Sequence, residues 1–425
     1  MTIIQFYLEN PLRFQNFGLL IVVMNLSFED TKTAFAYKTD AELKRAKFLF
    51  QTMGKPWAVR PGLWLTPIAL KIGLPVKGLI RKTIFSQFVG GETLEETAAV
   101  AKKLGEFNVQ VILDYGVEGK EGEQNFDKAT QEFIKVIRYA ATQPNIPFMS
   151  VKLTGFSRFE LLEKIHSHAI YNDIVRGIVP VEKLNTEEKA EWERVVARLF
   201  KICKVAAENN IGVLIDAEQS WIQDPVDAVT TQMMQQFNID KAIVYNTAQL
   251  YRKDKLQYLK DSAEFAKENQ FILGMKLVRG AYMEKERERA SELNYPSPIN
   301  DTKQDTDNEY NAALEFSINP ENKISIIIGS HNEYSNLLAV QLMEKYGLPH
   351  SDSRIHFSQL YGMSDNITFN LAKAGCHVSK YLPFGPIKDV IPYLMRRAQE
   401  NSSVSGQTGR ELGLIKKEIK RRLVN

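Results

Sequence analysis

Eight short runs of apolar and β-branched residues recur along this 425-residue chain and constrain its fold more than any other feature. They are VQVILDYG (109–116), FMSVKLTG (148–155), GVLIDAEQ (212–219), AIVYNTAQ (242–249), ILGMKLVRG (272–280), SIIIGSH (325–331), RIHFSQL (354–360) and HVSKYLPFG (377–385). Longer amphipathic stretches separate them, among them NFDKATQEFIKVIRYAAT and KLQYLKDSAEFAKEN. Strands that alternate with helices imply parallel βαβ units. Eight such units predict an α/β fold closed into a (β/α)8 TIM-like barrel. A doubly wound open sheet is the competing arrangement. No strand run leads into G-x-G-x-x-G, which argues against a dinucleotide-binding sheet, and no P-loop is present. The GVEGKEG segment lacks that spacing and reads as a polar loop.

The flanks set the remaining organisation. Residues 1–24 contain FGLLIVVM, too short to span a bilayer, and residues 1–23 are expected to be disordered or to belong to a mis-called start, with a second start at Met24. Residues 24–92 form an expected basic, helical N-terminal arm. Its 43–91 portion holds nine basic residues and no acidic one, interleaved with Trp57, Trp64 and aliphatic side chains. Such a segment suits an anionic membrane surface; alternatively its apolar side packs on the main domain and leaves the lysines in water. The barrel is expected over 93–405, opening with a capping box of Thr93 and Glu96. A longer excursion occupies 157–195. Residues 406–425 read as a basic C-terminal helix, with Thr408 and Glu411 as its capping box. No transmembrane helix is expected. A net charge of +3 gives no case for nucleic acid. Two distant cysteines, Cys203 and Cys376, point to a reducing compartment and offer no metal spacing. His166 and His168 are expected to be solvated.

In a (β/α)8 barrel, function collects at the C-terminal strand ends. The second strand ends with Lys152, the third with Asp216 and Glu218, and the fourth with Asn246 and Gln249. The fifth offers Lys276 and Arg279, the sixth Ser330 and His331, the seventh Gln359 and the eighth Tyr381. Strand alternation puts Leu214, Asp216 and Glu218 on one face, Lys152 with Ser150, and Lys276 with Gly274. Inward charges must pair or meet a ligand, so the alternative to a site is a buried Lys–Asp network that only links strands. Ser330–His331 is no triad, and the G-x-S-x-G elbow is missing. Asp216 and Glu218 share one strand, a poor match to a glycosidase pair. Lys152 suits a Schiff base, as in a barrel lyase or aldolase. Near the C-terminus, IPYLMRRAQENSSVSG (391–406) carries Arg396 and Arg397 side by side. Consecutive helical residues diverge by about 100°. Either one arginine is in an ion pair and the other in water, or the two hold an anion such as a carboxylate.

Read together and in order, SVKLTG, LIDAEQS, MKLVRGAYM, GSHN, LYGM, YLPFG and YLMRRAQEN resemble the successive motifs of proline dehydrogenase, from about residue 90 to 405. The resemblance implies a barrel that binds FAD, oxidises L-proline to Δ1-pyrroline-5-carboxylate in the first step of proline catabolism, and passes electrons to membrane quinone. It implies that Arg396, Arg397 and Lys152 grip the proline carboxylate, with Glu400 orienting the guanidiniums. Leu360, Tyr282, Tyr381 and Tyr393 would wall the proline ring. Asp216 and Lys276 become the catalytic residues, and Ala217, Asn246, Arg279, Gly280, Ala281, Ser330 and His331 the flavin contacts. Many bacterial members have arginine where Lys276 stands and lysine where Arg279 stands, and many relatives have glutamine in place of Asn246. Tyr381 favours proline over hydroxyproline, whose dehydrogenases carry a smaller residue there. The implied partners are quinone, a transient membrane surface and a separate pyrroline-5-carboxylate dehydrogenase. The implied place is the bacterial cytoplasm at the inner membrane, or the mitochondrial matrix face in a eukaryote. No metal is called for.

Overall fold

The computed structural model describes residues 26–53, 77–116, 121–403 and 405–424, with the side chains of 399–407 outside that description. Residues 1–23, the middle of the basic arm with Trp57 and Trp64, part of the GVEGKEG loop and the Glu400 side chain therefore lie outside the described residues.

Each of the eight apolar runs forms one strand: β1 (Gln110–Tyr115), β2 (Phe148–Val151), β3 (Gly212–Ile215), β4 (Val244–Gln249), β5 (Gly274–Val278), β6 (Ser325–Gly329), β7 (Ile355–Leu360) and β8 (Val378–Phe384). They close in sequence order into one barrel. All pairs are parallel, and β8 returns to β1 with Tyr381 opposite Ile112. This is the expected (β/α)8 architecture. Alternation sorts the side chains into two cores. Val111, Leu113, Met149, Val151, Val213 and Ile215 face outward and join the helices in the main core. Ile112, Leu214, Tyr245 and Ile327 fill the barrel interior, with Phe148 and Tyr381 against them. Two residues further along each strand, the inward direction reaches the mouth. That register decides what can meet there.

A second apolar cluster covers the mouth. It joins Leu43, Ala46, Phe50 and Met53 of the helix Asp40–Met53 to Ile80, Phe85 and Phe88 of the arm. Val390, Ile391, Tyr393 and Leu394 of the helix Ile387–Ser403 complete it with Leu414 and Ile415 of the helix Ser405–Val424. The described parts of the arm thus pack on the barrel. Gln87 ties the arm to the β7–helix turn by donating to the Gly362 carbonyl at 2.8 Å. Gly362 has φ +81, and a Cβ there would lie 2.0 Å from the Gln87 carbonyl oxygen, so only glycine fits.

Three local expectations are corrected. Thr93 does cap the helix Leu94–Gly105, but the Glu96 carboxylate accepts from the backbone of Glu92 rather than Thr93. Thr408 and Glu411 form no capping box, because the C-terminal helix already begins at Ser405. Glu411 is instead buried and accepts a hydrogen bond from the backbone N–H of Ser364. His166 is not merely solvated: its Nδ1 lies 2.8 Å from an Asp224 carboxylate oxygen. That contact helps fasten the excursion, whose helices Phe159–His166 and Tyr171–Val175 pack on the barrel helix Ser220–Phe237.

Candidate active site

The strand register brings Asp114, Ser150, Asp216, Lys276 and Tyr381 into one hydrogen-bonded chain across the barrel mouth. Ser150 donates to Asp114 at 3.0 Å, and its Oγ lies 2.8 Å from the Tyr381 hydroxyl. Tyr381 donates to Asp216 at 2.7 Å, and Lys276 donates to the other Asp216 oxygen. The Lys276 ammonium also sits 5.7 Å from the centre of the Tyr381 ring. Tyr381 therefore acts through its hydroxyl as well as its ring face. Asp114 is absent from the strand-end reading, which began at β2. The alternation that picks out Asp216 picks it out too, two residues after inward Ile112.

Lys152 stands beside this chain and differs from it. Among the described residues its ammonium makes no hydrogen bond, and it lines a small pocket with Asp114, Ser150, Thr154, Tyr393 and Arg396. Burial alone would lower its pKa, but the field of Tyr282, Asp114 and Asp216 outweighs burial and Arg396, and the pKa is raised. Lys152 is thus held as the cation. Asp114 is pushed up by burial, with Asp216 adding to the effect and Lys152 opposing it. Burial also raises Glu218, which accepts from Thr154 at 2.8 Å.

Arg396 and Arg397 are both half-buried at the mouth but face different groups. Arg396 acts on Lys152 and Tyr282, whereas Arg397 lies 5.2 Å from the centre of the Tyr393 ring and acts on His331. Leu360 is the inward residue at the end of β7 and touches the second cluster. The structure thus brings Lys152, Arg396, Tyr282, Tyr381 and Tyr393 together around one end of the mouth.

The β5 and β6 ends form a different environment. The Arg279 guanidinium lies 3.8 Å above the Tyr310 ring, pairs with Asp307 and donates to Ser335 Oγ at 2.6 Å. Its buried Nε has no hydrogen-bond partner among the described residues. Next to it, Asn332 caps the helix Glu333–Lys345, and Gly280 takes φ +82 at an exposed rim with Ala281. A helix N-terminus, an arginine and a glycine turn are the donor set of an anion cradle. Ser330 accepts from the Asn332 backbone, and His331 is held neutral, its pKa pushed down to about 3 by burial, Lys380 and Arg397.

Asn246 does not join them. Tyr245 is the inward residue of β4, so Asn246 faces outward, where it is fully buried and donates at 3.0 Å to Asp227 and to Tyr258. It belongs to a polar cluster behind the strand that also holds the Lys255–Asp227 ion pair at 2.6 Å. Thr247 and Gln249 take the inward positions; Gln249 donates to the Glu218 carbonyl at 2.6 Å. Ala217 follows Asp216 at the β3 end.

Comparison with known proteins places this geometry in a family. The profile of the proline dehydrogenase family matches residues 97–410. The chain is 34% identical over 388 residues to "Proline dehydrogenase 1, mitochondrial" of Dictyostelium discoideum, covering 83% of this chain and 68% of that protein. It is also 34% identical over 348 residues to the "Carbapenem antibiotics biosynthesis protein CarD" of Pectobacterium carotovorum subsp. carotovorum, covering 82% of this chain and 87% of the relative. The crystal structure of proline utilization A from Bdellovibrio bacteriovorus shares the fold with a TM-score of 0.66 at 19% identity, across 89% of this chain and 36% of that one. On the match over residues 97–410, this chain belongs to the proline dehydrogenase family.

Proposed function

We propose that this enzyme oxidises L-proline to Δ1-pyrroline-5-carboxylate with FAD as cofactor and a membrane quinone as final acceptor. One observation carries the reading: the Lys152 ammonium is held charged, makes no hydrogen bond among the described residues, and faces a pocket beside Arg396. A substrate carboxylate supplies the missing partner, and a guanidinium next to it adds a forked, charge-assisted contact. Tyr282, Tyr393, Tyr381 and Leu360 offer the apolar walls that a proline ring requires, and Arg397 flanks the same entrance.

The residues of the second environment fit a flavin dinucleotide. The buried Nε of Arg279, without a partner among the described residues, lies beside a capped helix N-terminus, and Gly280 lets a diphosphate approach the backbone. Ala217, Ala281, Ser330 and neutral His331 stand around it, and Gln249, rather than Asn246, takes the inward β4 position. FAD would accept the hydride that leaves the ring carbon beside the amine. The protein's own task is to hold that carbon in place with a neutral amine. Asp216, fixed by Lys276 and Tyr381, orients the ring and sets the local field rather than acting as a free base. Lys276 places a positive charge where electron density rises during the reaction.

A Schiff-base lyase needs an unprotonated amine, and the surroundings of Lys152 hold its proton more firmly than water does. Membrane contact rests on the arm: Phe48 and Leu79 are 61% and 67% exposed among Lys44, Arg45, Lys77 and Lys82. No helix among the described residues is long and apolar enough to cross a membrane, so the contact we propose is peripheral, at the bacterial inner membrane or the matrix face in a eukaryote. The pyrroline product is the kind of compound that a further dehydrogenation would consume. The test is an absorbance spectrum before and after anaerobic addition of L-proline. A flavin spectrum that bleaches supports the reading. A flavin reduced by hydroxyproline but not proline moves the substrate, and a colourless protein that FAD cannot reconstitute refutes the assignment.

A further inference from the structure

We propose that Glu286 is a positioning residue: reaching from the helix that follows β5, it caps the helix that follows β3 and so fixes Tyr282 relative to Asp216. The helix Met283–Glu292 begins immediately after Tyr282, and the Glu286 N–H closes its first turn on the Tyr282 carbonyl at 2.9 Å. Its sequence, MEKERERASE, has no apolar face, and its buried residues are Glu286 and Ala290 alone. Apolar burial does not hold a helix of this composition in place. Polar contacts therefore decide where it lies and where it puts Tyr282.

Glu286 makes the central one. One carboxylate oxygen accepts from the Ser220 backbone N–H at 2.6 Å, and the other accepts from the Ser220 hydroxyl at 2.6 Å. Ser220 is the first residue of the helix Ser220–Phe237, whose N-cap residue, Gln219, makes no side-chain cap bond. The first N–H groups of a helix lack partners within it, and a negative charge there is favourable. Glu286 meets both needs from another element, with its side chain fully buried. One turn on, the Arg289 guanidinium lies 4.4 Å from the centre of the Trp221 ring and pairs with Glu163 at 2.7 Å. Successive turns of one helix thus clasp successive residues of the other.

The clasped end is rigid. Between Asp216 and Ser220, the Asp216 N–H donates to the Val151 carbonyl at 2.9 Å, and the Glu218 N–H donates to the Gln223 side chain at 2.8 Å. The Glu218 carbonyl accepts from Gln249 at 2.6 Å, and its carboxylate accepts from Thr154 at 2.8 Å. The link from Tyr282 back to β5 is less constraining, since Gly280, at φ +82, and Ala281 lie on the exposed rim. Tyr282 therefore takes its place from Ser220, through one carboxylate and one helical turn, rather than from its own strand. In the proposed reaction Tyr282 walls the proline ring and Asp216 orients it, so their separation sets how firmly the ring is held. That consequence rests on the proposed function; the clasp does not.

Fluorine NMR of protein labelled with meta-fluorotyrosine follows Tyr282 without any turnover. The chain has 16 tyrosines, and Tyr282→Phe assigns the signal. Glu286→Leu removes both acceptors and should move or broaden the Tyr282 signal. It should also raise the KM for L-proline about tenfold or more while kcat stays within about threefold. Glu286→Gln should restore both readouts, because its amide oxygen accepts from the Ser220 N–H and its amide nitrogen donates to the Ser220 hydroxyl. A merely structural glutamate would lower the melting temperature and leave both readouts unmoved. An unmoved Tyr282 signal in folded Glu286→Leu overturns the inference, as does an unchanged KM in an enzyme whose signal has moved. If Glu286→Leu does not fold, Ser220→Ala decides: it keeps the backbone contact, so the signal should move less far, and an unmoved signal overturns the inference. The expected signal changes in a protein that shows no activity on L-proline uphold the clasp and refute only the proposed function.

Discussion

Replacing Tyr381 with phenylalanine isolates one hydroxyl at the centre of the mouth. The ring would keep its place in the barrel interior and its position under Lys276. Lost are the 2.7 Å bond to Asp216 and the 2.8 Å contact with Ser150. The Ser150 loss is minor, since Ser150 still reaches Asp114 at 3.0 Å. The Asp216 bond involves a charged acceptor and is worth about 1.5–3 kcal/mol. Lys276 alone would then hold the carboxylate, which leaves its rotation poorly fixed. If that orientation matters during hydride loss, kcat/KM for L-proline should fall roughly ten- to hundredfold. With the flavin proposed above, its anaerobic stopped-flow reduction would measure the step apart from the final acceptor. Melting temperature and circular dichroism should show the same fold with only a small loss of stability. A reduction rate within twofold of wild type would refute the idea that Tyr381 orients Asp216.

Lys255→Met should cost about 3–5 kcal/mol in urea unfolding, because it leaves Asp227 buried beside Gln223 and Asn246 without its cation. Adding Asp227→Asn should restore part of that loss; a double variant no more stable than the single one would contradict the account. Gly362→Ala should destabilise by roughly 2–4 kcal/mol, through its positive φ and the clash with the Gln87 carbonyl, and should loosen the arm as read by limited proteolysis. For Glu411 the sign follows from a folded pKa of about 7 against an ordinary 4.5. A raised carboxyl pKa means that the wild type loses stability as pH rises from about 4.5 to 7. Glu411→Gln does not titrate, so the variant-minus-wild-type difference in unfolding midpoint should climb through that window and flatten above about pH 8.

The barrel was legible because its signal is repeated. Eight β-branched runs with helices between them leave few topologies, and each run became a strand. The inward residues followed from a period of two, which made Asp216, Lys152 and Lys276 readable in the sequence. The same period puts Asn246 on the other side of its strand. Its neighbour Tyr245 fills the barrel interior, and a one-residue difference in register puts Asn246 behind the strand. Asp114 shows the opposite case, a signal present but not followed on β1. Glu411 was beyond reach. Thr408 and Glu411 have capping-box spacing, and only the actual helix start at Ser405 shows that the carboxylate serves Ser364, 47 residues away in the chain.

The two sequence-level accounts of the inward charges, a ligand site and a network that links strands, each describe half of the mouth. Along the run from Asp114 through Ser150, Tyr381 and Asp216 to Lys276, both carboxylates have matched donors: Asp114 accepts from Ser150, and Asp216 accepts from Tyr381 and Lys276. A chain of this kind fixes strand ends and gives Asp216 one orientation, as a structural network would. Lys152 lies outside it. Its charge is stabilised by the field of Asp114 and Asp216, yet it donates no hydrogen bond to either of them and lines the pocket shared with Arg396. A group that served only to link strands would gain by closing one of those contacts, since an unmatched ammonium in a buried setting is costly. Leaving it open makes sense when an anion closes it in the working enzyme. The matched chain then acts as the rigid wall against which that anion, and the ring attached to it, is held.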